Sequence, residues 1–151
     1  MGVRELEQDI KRYQNQIGEK QERINELENK IERLEQEYQK QAELQYNLEE
    51  FFFNKKQRCD VLYSDARGKA AQRILSSSCD IYSIKNSNAL SQCYEEIKYC
   101  IRHNITAYND ELEELRGEIR NLNSRINSSR SEINRIRREE KEKNARANNN
   151  G

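Results

Sequence analysis

Apolar residues recur along the first third of the chain at alternating steps of three and four. One series runs Val3, Ile10, Ile17, Ile24, Ile31, Tyr38; the other runs Leu6, Tyr13, Lys20, Leu27, Leu34, Gln41, Leu48. A period near 3.5 residues marks a coiled-coil seam rather than a general amphipathic face. Lys20 and Gln41 interrupt the seam with long side chains whose stems lie on apolar surface while their heads reach water; such breaks set register. The last third repeats the pattern in Ile105, Leu112, Ile119, Ile126, Ile133 and in Ile101, Tyr108, Leu115, Leu122, Ser129, Ile136. Tyr94 and Ile97 carry the stripe back towards Leu90. Two such seams in one chain close most simply on each other. The expected fold is all-α: a long antiparallel coiled-coil helical hairpin with a short helical tip.

Charges beside the seam give a register. With seam positions labelled a and d, the flanking e positions hold Glu7, Gln14, Gln21, Glu28 and Glu35 in the first helix. The second helix has Asn109, Arg116, Asn123, Arg130 and Arg137 there. Antiparallel helices set e against e and g against g. One alignment places Glu7 opposite Arg137 and Glu28 opposite Arg116. On the g side it places Arg23 opposite Glu118 and Lys30 opposite Glu111, and leaves Asp9 facing Glu132. A shift of one heptad competes: it offers Glu7–Arg130 and Asp9–Arg125 but leaves Glu28 against Asn109. Exposed pairs contribute only about 0.2–1 kcal/mol each, so they select register more than they stabilise.

The turn falls near the middle. Tyr63 to Gly68 offers one break, with a glycine able to take positive φ. Ser76 to Asp80 offers another, and Lys69 to Leu75 between them reads as two helical turns. Asn86-Ser87-Asn88 reads as the N-cap of the second long helix. The expected organisation is one hairpin over 1–146: a first helix at 3–60, a tip at 61–88 containing a short helix at 69–75, and a second helix at 89–142. Residues 147–151 read as a disordered Asn-rich tail. Phe51, Phe52 and Phe53 should seal the end where the long helices meet the tip.

Composition agrees with long helices. The chain has no proline, no tryptophan, 36% charged residues and 34% hydrophobic ones, too few apolar residues for a large three-dimensional core. With 27 basic and 27 acidic residues it lacks the basic excess of a nucleic-acid binder. The charge is uneven, however. Residues 3–53 carry eight Lys/Arg against 13 Asp/Glu, 54–90 carry seven against three, and 91–151 carry 12 against 11. The basic middle is the stretch an acidic partner would meet. No run approaches the ~20 apolar residues of a membrane span. The start, Met1-Gly2-Val3-Arg4-Glu5-Leu6, has no signal-peptide core, and Leu6 breaks the myristoylation pattern. The expectation is a cytoplasmic protein that, if exported, uses no cleaved signal.

Little chemistry is visible, and the expectation is a non-enzyme with no catalytic, cofactor or metal residues. His103 is the single histidine, and no Gly-rich phosphate loop is present. Cys59, Cys79, Cys93 and Cys100 match no zinc spacing. Cys93 and Cys100 lie about 10 Å apart by helical rise, beyond the roughly 7 Å Cα limit for a disulfide. Cys59 and Cys79 flank the turn and could approach each other, but all four read best as reduced, small packing residues. Tyr13, Tyr38, Tyr94 and Tyr108 fall on the seams. Tyr46, Tyr63, Tyr82 and Tyr99 gather towards the tip, where aromatics suit an interface. Candidate partner contacts are Phe52, Tyr63, Ile74, Leu75 and Tyr82.

A heptad helix, a Gly-containing turn and a second long helix resemble the small WXG-type helical proteins. More specifically the layout resembles the YwqH-like members that accompany LXG toxins of the type VII secretion system. Ala66-Arg67-Gly68 stands where that family has Trp-x-Gly, with Ala66 in place of the tryptophan. Lys69-Ala70-Ala71-Gln72-Arg73-Ile74 follows where the family has a Lys-Asn-Ala-x-x-Phe run. Tyr46 with Glu50 is the one match to the family's Tyr-x-x-x-acid export pattern, and it lies within a helix. The resemblance implies an adaptor that binds a toxin's N-terminal helical domain beside a second small helical protein. A structural coiled-coil spacer is the alternative. A prefoldin-like holdase ranks lower, since 54–90 shows no alternating strand pattern.

Overall fold

The computed structural model describes residues 2–149, and the chain is an all-α helical hairpin. Helix α1 spans Val3–Asp65, α2 spans Lys69–Cys79, a 3-10 turn covers Asp80–Tyr82, and α3 spans Ile84–Asn149. Among the described residues there is no strand, and no helix is long and apolar enough to cross a membrane. The start of α1 is capped reciprocally: the Gly2 N–H donates to Glu5 Oε2 at 3.0 Å, and the Glu5 N–H donates to the Gly2 carbonyl at 3.1 Å. This is the back-reaching half of a capping box, with an acid placed at the positive end of the helix dipole.

The element bounds depart from the sequence reading in four places. Helix α1 runs to Asp65 rather than stopping at 60, because nothing before Gly68 breaks it; Gly68 then sits at φ 89°, a backbone conformation that strains any side chain. The short tip helix extends to Cys79 rather than 75. Helix α3 starts at Ile84, and its cap is Ser83, not Asn86: the Asn86 N–H donates to Ser83 Oγ at 3.3 Å. Asn86 folds back instead, its amide donating to the Asp80 and Ile81 carbonyls at 3.2 and 3.3 Å. At the other end α3 continues through Asn149, so 147–149 are helical rather than a loose tail. Ala145, Arg146 and Ala147 favour helix, and Arg146 suits the negative end of the dipole. Residues 150 and 151 lie outside the described residues.

The chain divides into two compact units. One joins the segment up to Lys30 with the segment from Tyr108 onward; the other is Ile31–Ala107.

In the first unit the seam is buried as its heptads require: Leu6, Ile24 and Leu27 from α1, and Leu112, Leu122, Ile126 and Ile133 from α3. Two expected e-flank pairs form, Glu7–Arg137 at 2.9 Å and Glu28–Arg116 at 3.0 Å. The one-heptad competitor is not adopted, and Arg125 instead lies 5.9 Å from the Tyr13 ring centroid. The g-flank pairs re-sort. Arg23 binds Glu111 through Nε at 2.9 Å and Nη2 at 3.3 Å rather than meeting Glu118. Glu118 is taken by Lys20, the polar residue at a d position whose long stem reaches across. Lys30 lies over the Tyr108 ring at 5.7 Å. The expected Asp9–Glu132 repulsion is relieved within each helix, by Arg12 at 3.0 Å from Asp9 and by Arg135, whose Nε lies 2.9 Å from Glu132 Oε2.

The second unit has a thinner core. Its buried apolar residues are Ile31, Phe52 and Ile101. Gln45 occupies an a position, donating to Glu49 and Glu95 at 3.2 Å each, while its Oε1 is buried without a partner. A buried acceptor left unpaired costs about 1–3 kcal/mol, whereas solvent-exposed hydrogen bonds largely exchange with bonds to water and return little net. Gln45→Leu should therefore stabilise the chain by about 1 kcal/mol, read as a rise in the urea midpoint; a fall would show that the two donated bonds matter more than the orphan.

Candidate partner-binding surface

The tip is tied down covalently. Cys59 and Cys79 form a disulfide with Cα atoms 5.9 Å apart, correcting the expectation that all four cysteines are reduced. The geometry follows from the turn at Gly68: α2 folds back towards the end of α1, which brings an a-position cysteine and the last residue of α2 together. Cys93 and Cys100 are free and exposed. No residue of α2 is buried, so the bridge is the main tie between this helix and the rest of its unit.

Beside the bridge lies an aromatic cluster. Phe52 packs edge-on against Tyr82 with centroids 5.7 Å apart, and Phe51 meets the same ring at 6.1 Å. The proposed contact residues therefore separate. Phe52 is only 8% exposed and belongs to the seal, not to a free surface. Tyr82 and Leu75 are half-buried and line one cleft with Tyr63. Tyr63 and Ile74 are available, at 46% and 67% exposed. Phe53 points outward instead of sealing.

The distribution of exposed apolar side chains is uneven along the chain. Every large hydrophobic residue found exposed among the described ones lies between Leu44 and Tyr99, within the second unit. Val61, Leu62, Ile81 and Ile84 join Tyr63 and Ile74 around the tip, while Leu44, Phe51, Leu90 and Ile97 lie along the long helices. The sequence pattern places Leu90 and Ile97 on the seam stripe and Phe51 in the end seal, but all three fall on g positions, as Leu44 does, and stay exposed. Of the tyrosines, Tyr46 and Tyr99 are exposed, and the four seam tyrosines are half-buried.

Electrostatics in both units come from surface pairs. Glu95 is held below the usual carboxylate range by the Lys98 ammonium and then by the Gln45 amide. Glu132 is lowered by Arg135, and Arg23 is raised by Glu111. Both carboxylates thus favour the folded state above the ordinary carboxylate range and lose that contribution as pH falls through their lowered values. Among the described residues, no group of three His, Cys, Asp or Glu side chains is placed to hold a metal ion. The second unit therefore presents exposed apolar and aromatic side chains in a stretch of chain rich in basic residues. Comparison with protein families, with curated proteins and with solved structures finds no match to this chain.

Proposed function

We propose that this chain is a non-enzymatic adaptor whose 31–107 unit binds a helical segment of another protein. One observation carries the reading: the large apolar side chains that are exposed gather in that unit. A spacer has no use for such a surface, since exposed apolar patches of this kind mark interaction sites. The resemblance to the WXG-type proteins suggests the partner's class, the N-terminal helical domain of an exported LXG-type toxin. The Cys59–Cys79 bridge supports the exported leg of this reading, because disulfides persist in oxidising compartments.

The test is capture of a single co-folding partner by the full chain and by Tyr63→Ala/Ile74→Ala. Tyr82 is left in place because it packs on Phe52. Capture should fall by at least about tenfold, as expected on losing two central contacts, with helicity by circular dichroism unchanged. Undiminished capture by the double variant would remove the tip from the site, and failure to find any partner would favour the spacer.

A further inference from the structure

The g positions change character between the two units. In the first they hold Arg23 and Lys30 on α1, with Glu111 and Glu118 on α3, and ions close the flank. In the second unit the same heptad positions hold Leu44 and Phe51 on α1, with Leu90 and Ile97 on α3. All four are 39–47% exposed. The opposite flank of this unit is polar and occupied: Gln45 donates to Glu95 at 3.2 Å and Ser91 donates to Glu49 at 2.6 Å. An antiparallel pair sets g against g, so Leu44 is level with Ile97 and Phe51 with Leu90. On α1 the line continues past Arg58 to Val61 and Leu62, about 27 Å from Leu44 by helical rise. Two apolar g flanks side by side are what a third helix fills in a three-stranded coiled coil.

Charge selects the occupant. The c positions bordering this groove are Lys40, Asn47 and Asn54 on α1, and Asn86, Cys93 and Cys100 on α3; none is a carboxylate. Lys55 lies over the Phe51 ring at 5.5 Å, and Arg58 follows. Glu37, next along the g series before Leu44, already accepts a hydrogen bond from Gln41 at 2.7 Å. A second copy presenting the same face is disfavoured, because Lys40, Lys55 and Arg58 beside the groove would meet their own kind. We infer that the groove between the g flanks of α1 and α3 takes one amphipathic helix of a partner protein with glutamate or aspartate beside its apolar stripe. This rests on the adaptor reading and adds a contact along the long helices to the one that the same partner makes at Tyr63 and Ile74.

The probe is a labelled four-heptad peptide with Ile and Leu at a and d and Glu at e and g, compared with the same peptide carrying Lys at e and g. Binding to the full chain is followed by fluorescence anisotropy. The Glu peptide should bind at least about tenfold more tightly than the Lys peptide. Leu44→Ser/Ile97→Ser should weaken it by at least about tenfold, whereas Tyr63→Ala/Ile74→Ala should change it by less than about twofold. Loss in the tip variant alone would overturn the groove while leaving a helix-binding protein. Binding of neither peptide would overturn the groove, and with no partner captured either it would overturn the adaptor reading too. Dimers of the chain that Leu44→Ser/Ile97→Ser dissociates in sedimentation velocity would overturn it in favour of a second copy. Flotation with phosphatidylserine vesicles lost in that variant would overturn it in favour of a membrane surface.

Discussion

Reducing the Cys59–Cys79 bridge is expected to melt α2 while leaving the rest of the hairpin folded. Helix α2 is 11 residues long and buries none of them. An isolated helix shorter than about 12–15 residues is marginal in water, so its order depends on what ties it down. The bridge closes a loop with a sequence separation of 20, for which chain entropy gives about 3 kcal/mol. That free energy acts on a segment with little other support. Hydrogen exchange with and without dithiothreitol should show amides of 69–79 losing protection to near the unfolded rate, while amides within 20–30 and 110–126 keep theirs. Cys79→Ser should behave as the reduced protein does. Unchanged protection in α2 would mean that its packing, not the bridge, holds it.

The largest effect of a single core substitution is expected at Leu27. It is the only fully buried side chain among those described, at 0% exposure. A Leu→Ala change at such a site removes the transfer free energy of the lost methyl groups and leaves a cavity, at a cost of about 2–5 kcal/mol. A coiled-coil seam one side chain wide has few neighbours to collapse inward, which favours the upper end. Leu115, half-buried on α3 in the same unit, is the control, and Leu115→Ala should lose clearly less. Urea unfolding followed at 222 nm gives both values. Equal losses would mean that burial along the seam is more even than the accessible areas show.

The long helices and their pairing are legible in the sequence because their causes are local. Alternating threes and fours in Ile24, Leu27, Ile31 and in Leu122, Ile126, Ile133 define the seam, and Glu7, Glu28, Arg116 and Arg137 define its register. The g-flank partners are less legible. Lys20 interrupts the seam in the heptad pattern, yet its stem is long enough to take Glu118 from Arg23, a choice made by side-chain reach rather than by heptad label. The start of α3 at Ile84 is hidden because Asn86-Ser87-Asn88 looks like a break. Ser83, three residues before Asn86, supplies the acceptor that caps the helix, and the Asn86 amide serves the 3-10 turn. The cysteines read as reduced because two of them separated by 20 residues can meet only if the chain reverses close to their midpoint, which the turn at Gly68 supplies.

The candidate surface was half legible. Tyr63 and Ile74 were found because bulky apolar residues in a turn region have no seam to join. Phe52 reads as part of that surface too, but it falls on the a series and is buried, with half-buried Tyr82 packed edge-on against it. The groove of Leu44, Phe51, Leu90 and Ile97 needed exposure values, since an apolar g residue is compatible with both a wide seam and a free face.

The claim at the centre of this account is that the 31–107 unit meets a partner and the unit at the chain ends does not. It is tested most directly by photo-crosslinking in cells, with a crosslinking residue placed singly at Ile74, Ile97 or Glu22. Ile74 and Ile97 are exposed in the second unit, and Glu22 is exposed in the first. Adducts to one and the same protein from Ile74 and Ile97, with none from Glu22, are the expected result. No adduct from the first two positions, or adducts of equal yield from all three, would contradict it.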